Sequence, residues 1–266
     1  MDLRDFNFKK KYGQNFLKND SIPKKIVHSV DIKEDSLVIE VGPGAGVMTK
    51  IIASNPNVKH VIAYEIDESL EDILDEQLIG FDNVTVIYDD FLKRNVQIDL
   101  DKYEFTNLYV IANLPYYITT PIIMKLIELN LDLEKVVVMV QKEVADRFCA
   151  KPKNREYGSI TVFLNYYFDV KKEFDVSRNL FTPKPNVDSI VISLSRRKDR
   201  YNVKNQEKFF KLVKDSFKFK RKTLRNNLKG YDLEKISNVL SKYRLDLTVR
   251  AEHLPIEVFI DISNNI

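Results

Sequence analysis

Along the first half of the chain, short apolar runs rich in β-branched residues alternate with longer stretches in which charged and apolar positions are mixed. The runs are SLVIEV (36–41), HVIAYEI (60–66), VTVIY (84–88), LYVIA (108–112) and KVVVMV (135–140). Strands that are apolar on both faces, spaced by helix-length segments, predict a parallel sheet covered on both sides. That is the doubly wound α/β class, in which ligands bind outside the carboxyl ends of the strands. From Ser159 the pattern changes. SITVFLNYYFDV and, further on, VDSIVISLS read as two strands with no clear helix between them, an antiparallel edge hairpin that closes the sheet.

Beyond SRRKDR (195–200) the period changes again. Phe209, Val213, Phe217, Leu224 and Leu228 recur near helical spacing, with Lys214, Lys218, Arg221, Arg225 and Lys229 on another face of the same predicted helix. LEKISNVLSKYRL and PIEVFIDI continue as helices. The expected organisation is an α/β domain over residues 1–197 and a small all-α domain over 198–266. A domain as small as the second gains stability from the first.

Composition adds a polarity to this division. The 266 residues carry a net charge of only +3, but residues 1–150 hold 17 Lys and Arg against 25 Asp and Glu, whereas residues 151–266 hold 25 against 14. A basic C-terminal half points to a polyanionic partner, or else to a solvated basic surface. Lys218, Lys220, Arg221, Lys222 and Arg225 are the candidate phosphate contacts. Cys149 is the single cysteine, and the three histidines are scattered, so neither a disulfide nor a metal centre is expected. No apolar run reaches membrane-spanning length and no apolar leader opens the chain, so a soluble, cytoplasmic protein is expected.

The candidate chemistry lies where the predicted strands end. EVGPGAG (40–46) follows the first strand and opens a helix, and its glycines permit turn dihedrals and close approach of a ligand. Gly42, Gly44 and Gly46 fall at every second position, which is not the dinucleotide spacing. Glu65 ends the second strand, where an acidic residue accepts from ribose hydroxyls. Asp89 and Asp90 end the third, where a carboxylate can accept from an adenine amino group and Phe91 can stack on the ring. Each acid taken singly can equally be a helix cap. Together they describe an adenosine-containing ligand that needs no phosphate, as S-adenosylmethionine is.

The fourth strand ends on Asn113-Leu114-Pro115-Tyr116. An exocyclic aromatic amine is a weak nucleophile because its lone pair is delocalised, so an enzyme acting on it must orient the nitrogen. The Asn113 amide oxygen and the Pro115 carbonyl can accept its N–H bonds, and Tyr116 can stack on an extruded base. The alternative is a strand, a proline turn and a tyrosine that fills core.

These motifs together resemble the small-subunit ribosomal RNA adenine N6,N6-dimethyltransferases of the KsgA/RsmA type. The pieces that carry the resemblance are KKYGQNFL (10–17), EVGPGAG, YEID (64–67), NLPYYITTPII (113–123), QKEVADRF (141–148), EYGSITV (156–162), NLFTPKPNVDS (179–189), FKRKTLRNNL (219–228) and RAEHLPIEVFI (250–260). Tyr12 and the KPKNR loop depart from the family pattern. The resemblance implies a Rossmann-like methyltransferase sheet with a helical RNA-binding C-terminal domain, S-adenosylmethionine as donor and S-adenosylhomocysteine as product. It implies donor contacts at Asn15, Leu17, Gly42, Gly44, Glu65, Asp90, Phe91 and Asn113. It also implies that Asn113, Pro115, Tyr116 and Phe181 hold the target adenine, with Phe181 on the ring face opposite Tyr116. The implied substrate is a pair of adjacent adenosines in a hairpin loop near the 3′ end of small-subunit rRNA, presented in a pre-30S-like particle to a monomeric enzyme with a role in subunit biogenesis. The sister Erm methylases of large-subunit RNA share the N-x-P-Y motif and are one alternative; a mainly non-enzymatic assembly factor is another, and a nicotinamide oxidoreductase a third.

Overall fold

A computed structural model describes residues 16–266. Asn15 and the greater part of KKYGQNFL lie outside the described residues. The described residues form two compact units, one of residues 16–142 and 171–195, the other of 143–170 and 196–266.

The first unit is built on a sheet of seven strands. Ser36–Val41 (β2), Val58–Glu65 (β3), Val84–Tyr88 (β4), Asn107–Asn113 (β5) and Leu133–Gln141 (β6) are parallel, in the spatial order β4-β3-β2-β5-β6. All five apolar runs seen in the sequence are therefore strands. Every residue of β2 is buried, as a central strand covered on both faces requires. Ser21–His28 (α1) and Val47–Ala53 (α2) pack their apolar faces on one side, through Ile26, Met48 and Ile52 against Val38, Val61 and Ile111. Ser189–Arg196 (β9) lies antiparallel against β6, and Phe168–Val176 (β7) is the edge strand beside it. A two-residue strand, Phe16–Leu17 (β1), pairs antiparallel with Phe181–Thr182 (β8).

Two local readings are corrected. SITVFLNYY is a helix, Ser159–Tyr167 (α7), and only the following FDVKKEFDV is the strand β7. Its β-branched and aromatic residues favour a strand by propensity, but burial of Thr161, Val162 and Leu164 on one side overrides that preference. Thr161 also fixes the start of the helix: its hydroxyl donates to the Arg147 carbonyl (2.7 Å) and accepts from the Gly158 N–H (3.2 Å). The second correction concerns the long basic helix. Gln206–Ser216 (α8) stops at Phe217, the chain turns through 217–223, and a single helical turn follows at Leu224–Asn227 (α9).

The second unit has its own core, in which Phe209, Leu212 and Val213 of α8 meet Ile236 and Leu240 of Leu233–Lys242 (α10) and Phe259 of Ile256–Asn265 (α11). Residues 143–170 cluster with these helices, so the chain passes between the two units at 142/143, within β7 at 170/171 and within β9 at 195/196. Side-chain caps begin two of the helices: Asn205 accepts from the Lys208 N–H (2.9 Å) and Asp232 from the Lys235 N–H (3.1 Å).

A polar anchor lies beyond β4 in the first unit. Buried Asp99, in Val96–Leu100 (α4), accepts from Arg94 Nε (2.8 Å) and Nη2 (2.7 Å), from the Tyr64 hydroxyl (3.2 Å) and from Lys102 Nζ (3.3 Å). Arg94 foremost among these partners holds the Asp99 carboxyl below its ordinary value of 3.8. A carboxyl lowered on folding stabilises the native state above its ordinary pKa, and that contribution disappears as the pH falls through the lower native value. Asp99→Asn should therefore melt below the parent protein at pH 7, and the gap should close as the pH is taken well below 3.8. A gap that stays constant across this range, in thermal melts followed by circular dichroism, would contradict this role.

Candidate active site

At the carboxyl ends of β2, β3, β4 and β5 the first unit encloses a cavity of about 480 Å³. Leu17, Gly42, Gly44, Glu65, Asp90, Phe91, Asn113, Pro115 and Tyr116 line it. Residues selected from five separate stretches of sequence thus meet at one place.

The glycine loop takes its shape from three left-handed positions, Gly42 (φ +74°), Gly44 (φ +59°) and Gly46 (φ +75°), which a side chain would strain. The Gly42 N–H donates to the Tyr64 carbonyl (2.9 Å), and the position of its missing Cβ lies 3.8 Å from Pro115 Cδ. The Gly44 N–H donates to Glu65 Oε2 at 3.1 Å, while Glu65 Oε1 accepts from the Asp67 N–H at 2.9 Å. Each Glu65 oxygen therefore keeps acceptor capacity toward the cavity. Burial, at 5% exposure, raises the Glu65 carboxyl above its ordinary range against the lowering effect of these N–H bonds.

Glu40 is the residue that the sequence reading passed over. It is wholly buried and lines the cavity, and neither carboxylate oxygen has a hydrogen-bond partner among the described residues. Burial pushes its carboxyl up to about 8; the Thr49 hydroxyl nearby, though outside hydrogen-bond geometry, opposes that rise, and the neighbouring Glu65 adds to it. A carboxyl without partners in a cavity wall is a ready counterpart for a cationic ligand group. Its signal in the sequence was a single acid inside the otherwise apolar strand SLVIEV.

On the β4 side, Phe91 lies edge-on to Tyr64, their centroids 5.2 Å apart. Asp90 Oδ1 accepts from the Leu92 N–H (3.0 Å). Lys125, on Thr119–Glu128 (α5), ties this loop down by donating to the carbonyls of Leu92 (2.9 Å) and Arg94 (2.6 Å). Arg94 in turn is held by Asp99. The wall that carries Asp90 and Phe91 is thus fixed from behind.

On the β5 side, the Asn113 amide makes no side-chain hydrogen bond among the described residues, whereas the Tyr116 hydroxyl is bonded to Ser189 Oγ at 2.8 Å. Two expected placements are corrected here. The Pro115 carbonyl accepts from the Ile118 N–H (3.2 Å) and the Thr119 hydroxyl (3.1 Å), so both of its lone pairs are engaged in starting α5. Phe181 does not face the cavity; its ring is 1% exposed and packs in the core with Val176 and Val191, because its backbone pairs with Leu17. Thr182, one residue on, lines the cavity. Lys18 secures this pairing, its N–H donating to the Leu180 carbonyl (2.8 Å) and its Nζ to the Asn179 carbonyl (2.8 Å).

The residues present fit S-adenosylmethionine. The ligand brings two cationic groups, a ribose diol and an adenine, and the cavity offers an unpartnered buried carboxyl, a second carboxylate with free lone pairs, and an acid beside an aromatic ring.

In the second unit, Lys218, Lys220, Arg221, Lys222 and Arg225 are all exposed, and no salt bridge pairs any of them among the described residues. All but Arg225 lie in the turn between α8 and α9. No group of residues among those described could hold a metal ion, and no described helix is long and apolar enough to cross a membrane.

The profile of a family described as "Ribosomal RNA adenine dimethylase" matches residues 5–266. Ribosomal RNA small subunit methyltransferase A of Streptococcus gordonii is 44% identical, over 99% of this chain and 93% of its own length. The protein of the same name from Enterococcus faecalis is 43% identical over 97% and 90%. Among solved structures, a dimethyladenosine transferase from Plasmodium falciparum superposes with a TM-score of 0.75 at 26% identity, over 93% of this chain and 95% of that one. The 23S rRNA methyltransferase ErmE shares the fold, with a TM-score of 0.73 at 24% identity over 94% and 98%. With a match that runs nearly end to end and a cavity that gathers the family's motifs, the chain belongs to the ribosomal RNA adenine dimethylase family.

Proposed function

We propose that this protein transfers methyl groups from S-adenosylmethionine to N6 of two adjacent adenosines in a hairpin loop near the 3′ end of small-subunit rRNA, giving N6,N6-dimethyladenosine. The observation that carries this reading is the meeting of Asn113 and Tyr116 with Glu40, Glu65 and Asp90 in one cavity. The relatives named for the small subunit are 43–44% identical over nearly the whole chain. The large-subunit reading has the shared fold of ErmE and the N-x-P-Y motif in its favour, but at 24% identity against 43–44% for the small-subunit relatives, and the glycine spacing disfavours a nicotinamide enzyme. We further propose that the protein works as a monomer on a partly assembled small subunit in the cytoplasm, with catalysis and subunit maturation served by the same docking event.

S-adenosylmethionine, when bound, supplies a methyl group already activated by its sulfonium. Glu65 would accept from the ribose hydroxyls with the lone pairs that the Gly44 and Asp67 N–H groups leave free, and Glu40 would pair with the donor's ammonium. Asp90 would accept from the donor adenine's amino group beside Phe91. Leu17 would complete the donor's enclosure. Asn113 accepts an N–H of the target amine and so aims the nitrogen lone pair, while Tyr116, fixed by Ser189, stacks on the base. Phe181 supports this wall from the core rather than forming the second half of a clamp. Positioning supplies most of the catalysis, because the leaving group is activated before it arrives.

Glu40 gives this account a pH signature. Its raised carboxyl is protonated in the free protein at neutral pH, so pairing with a cationic donor group expels that proton. Donor binding at pH 7, measured calorimetrically in buffers of different ionisation enthalpy, should release up to about one proton, and Glu40→Gln should abolish the release. Binding without proton release would remove Glu40 from the site. The free protein should also lose stability as the pH rises from about 4.5 to about 8, because the folded state holds a proton that the unfolded state gives up; Glu40→Gln should remove that slope.

The acceptor residues should fail in different ways when replaced. Asn113→Ala should slow single-turnover methyl transfer at saturating RNA and donor, since orientation of the nitrogen is lost. Tyr116→Ala should weaken productive RNA binding by about 1–3 kcal/mol. Phe181→Ala should act mainly on folding, at about 3–5 kcal/mol. A near-normal single-turnover rate for the Asn113 variant would overturn the orientation mechanism.

A further inference from the structure

Phe219 stands out among the exposed apolar residues. Its ring is 55% exposed at the turn that follows α8, and Lys218, Lys220, Arg221 and Lys222 surround it in sequence. Two residues earlier, Phe217 points the other way, against Phe259 (5.8 Å between centroids) and Tyr157 (6.0 Å). The exposed Ile79 and Ile98 of the first unit have no such ring of cations in their sequence neighbourhood.

The turn is rigidly built. Asn227 Oδ1 accepts from the Phe219 N–H (3.1 Å), and Asn227 Nδ2 donates to the carbonyls of Ser216 (2.7 Å) and Phe219 (3.2 Å). The Lys222 N–H closes the tip on the Phe219 carbonyl (2.9 Å). Beyond it, the N–H groups of Leu224 and Arg225 donate to the carbonyls of Val249 (2.8 Å) and Leu247 (3.0 Å). Both backbone polar groups of Phe219 are therefore satisfied internally while its side chain is left outside. A fixed backbone that presents an aromatic ring, with Lys218 Nζ 5.7 Å from its centroid and three further exposed cations in the same turn, offers both components of single-stranded nucleic-acid binding, a stacking face and phosphate neutralisation, with little ordering entropy left to lose.

We infer that Phe219 is a base-stacking residue: the turn 217–223 seats its cations on the phosphates of the RNA and lays the Phe219 ring against an unpaired base. This inference rests on the RNA-methylating reading and adds a specific contact to it, in a unit separate from the donor cavity.

The test is equilibrium binding of the full chain to transcribed small-subunit rRNA over a range of KCl concentrations. Phe219→Ala should weaken binding about five- to a hundredfold at every salt concentration and leave the log–log salt slope unchanged. Phe219→Trp should restore affinity, and Phe219→Leu, apolar but without a π face, should not. Arg221→Ala should instead flatten the slope by about 0.7 to 0.9. Parent-like RNA binding by Phe219→Ala beside a flattened slope for Arg221→Ala would overturn the stacking role and leave the RNA reading intact. Parent-like behaviour of both variants would overturn both. Full rescue by Phe219→Leu, or a fall in melting temperature that accounts for the lost affinity, would assign Phe219 to a protein contact or to folding and overturn the inference.

Discussion

Two carboxylates at the ends of neighbouring buried strands, Glu40 on β2 and Glu65 on β3, set the terms for the rest of the first unit. Both are shut away from water, and neither is fully satisfied by the protein around it. Such a pair is unfavourable in an empty fold and becomes favourable when a ligand supplies the missing donors and positive charge. The parallel sheet makes the arrangement possible. Its central strands, buried on both faces, project their last residues into a crevice that the glycine loop must leave open. The left-handed backbone at Gly42 and Gly44 keeps that loop thin and points the Gly44 N–H at Glu65.

The opposite walls are held by contacts that never touch the cavity. Asp99 fixes Arg94, and Lys125 fixes the carbonyls of Leu92 and Arg94, so the segment carrying Asp90 and Phe91 has little freedom. Ser189, at the start of β9, holds the Tyr116 hydroxyl, which ties the acceptor side to the antiparallel part of the sheet. These restraints suit a reaction whose barrier is lowered by placement: a weak nucleophile has to meet an activated methyl group at the right angle.

Much of this was legible in the sequence because it depends on short-range pattern. The five parallel strands announced themselves as apolar runs, and Gly42, Glu65, Asp90 and Asn113, expected at or just after strand ends, all line the cavity. What escaped was decided by tertiary packing. The stretch 159–167 carries strand-forming residues, yet it is a helix because its buried side has a core to face. The basic segment looked like one long helix until Asn227, eight residues beyond Phe219, folded it into a turn. The spacing of Phe181 gave no hint that pairing of its backbone with Leu17 would draw the ring into the core, nor that the Pro115 carbonyl would be taken up by α5. Glu40 was visible as an acid in an apolar strand, but its lack of partners is a property of the assembled cavity.

The site's chemistry comes down to methylation of an adenine nitrogen of small-subunit RNA in this cavity. The direct measurement is incubation of the protein with isotopically labelled S-adenosylmethionine and ribosomal subunits that lack the modification, followed by nucleoside analysis of each RNA. The account predicts labelled N6,N6-dimethyladenosine in the small-subunit RNA and none in the large-subunit RNA. Label confined to large-subunit RNA, label on a nucleoside other than adenosine, or no transfer from a donor that demonstrably binds would contradict it.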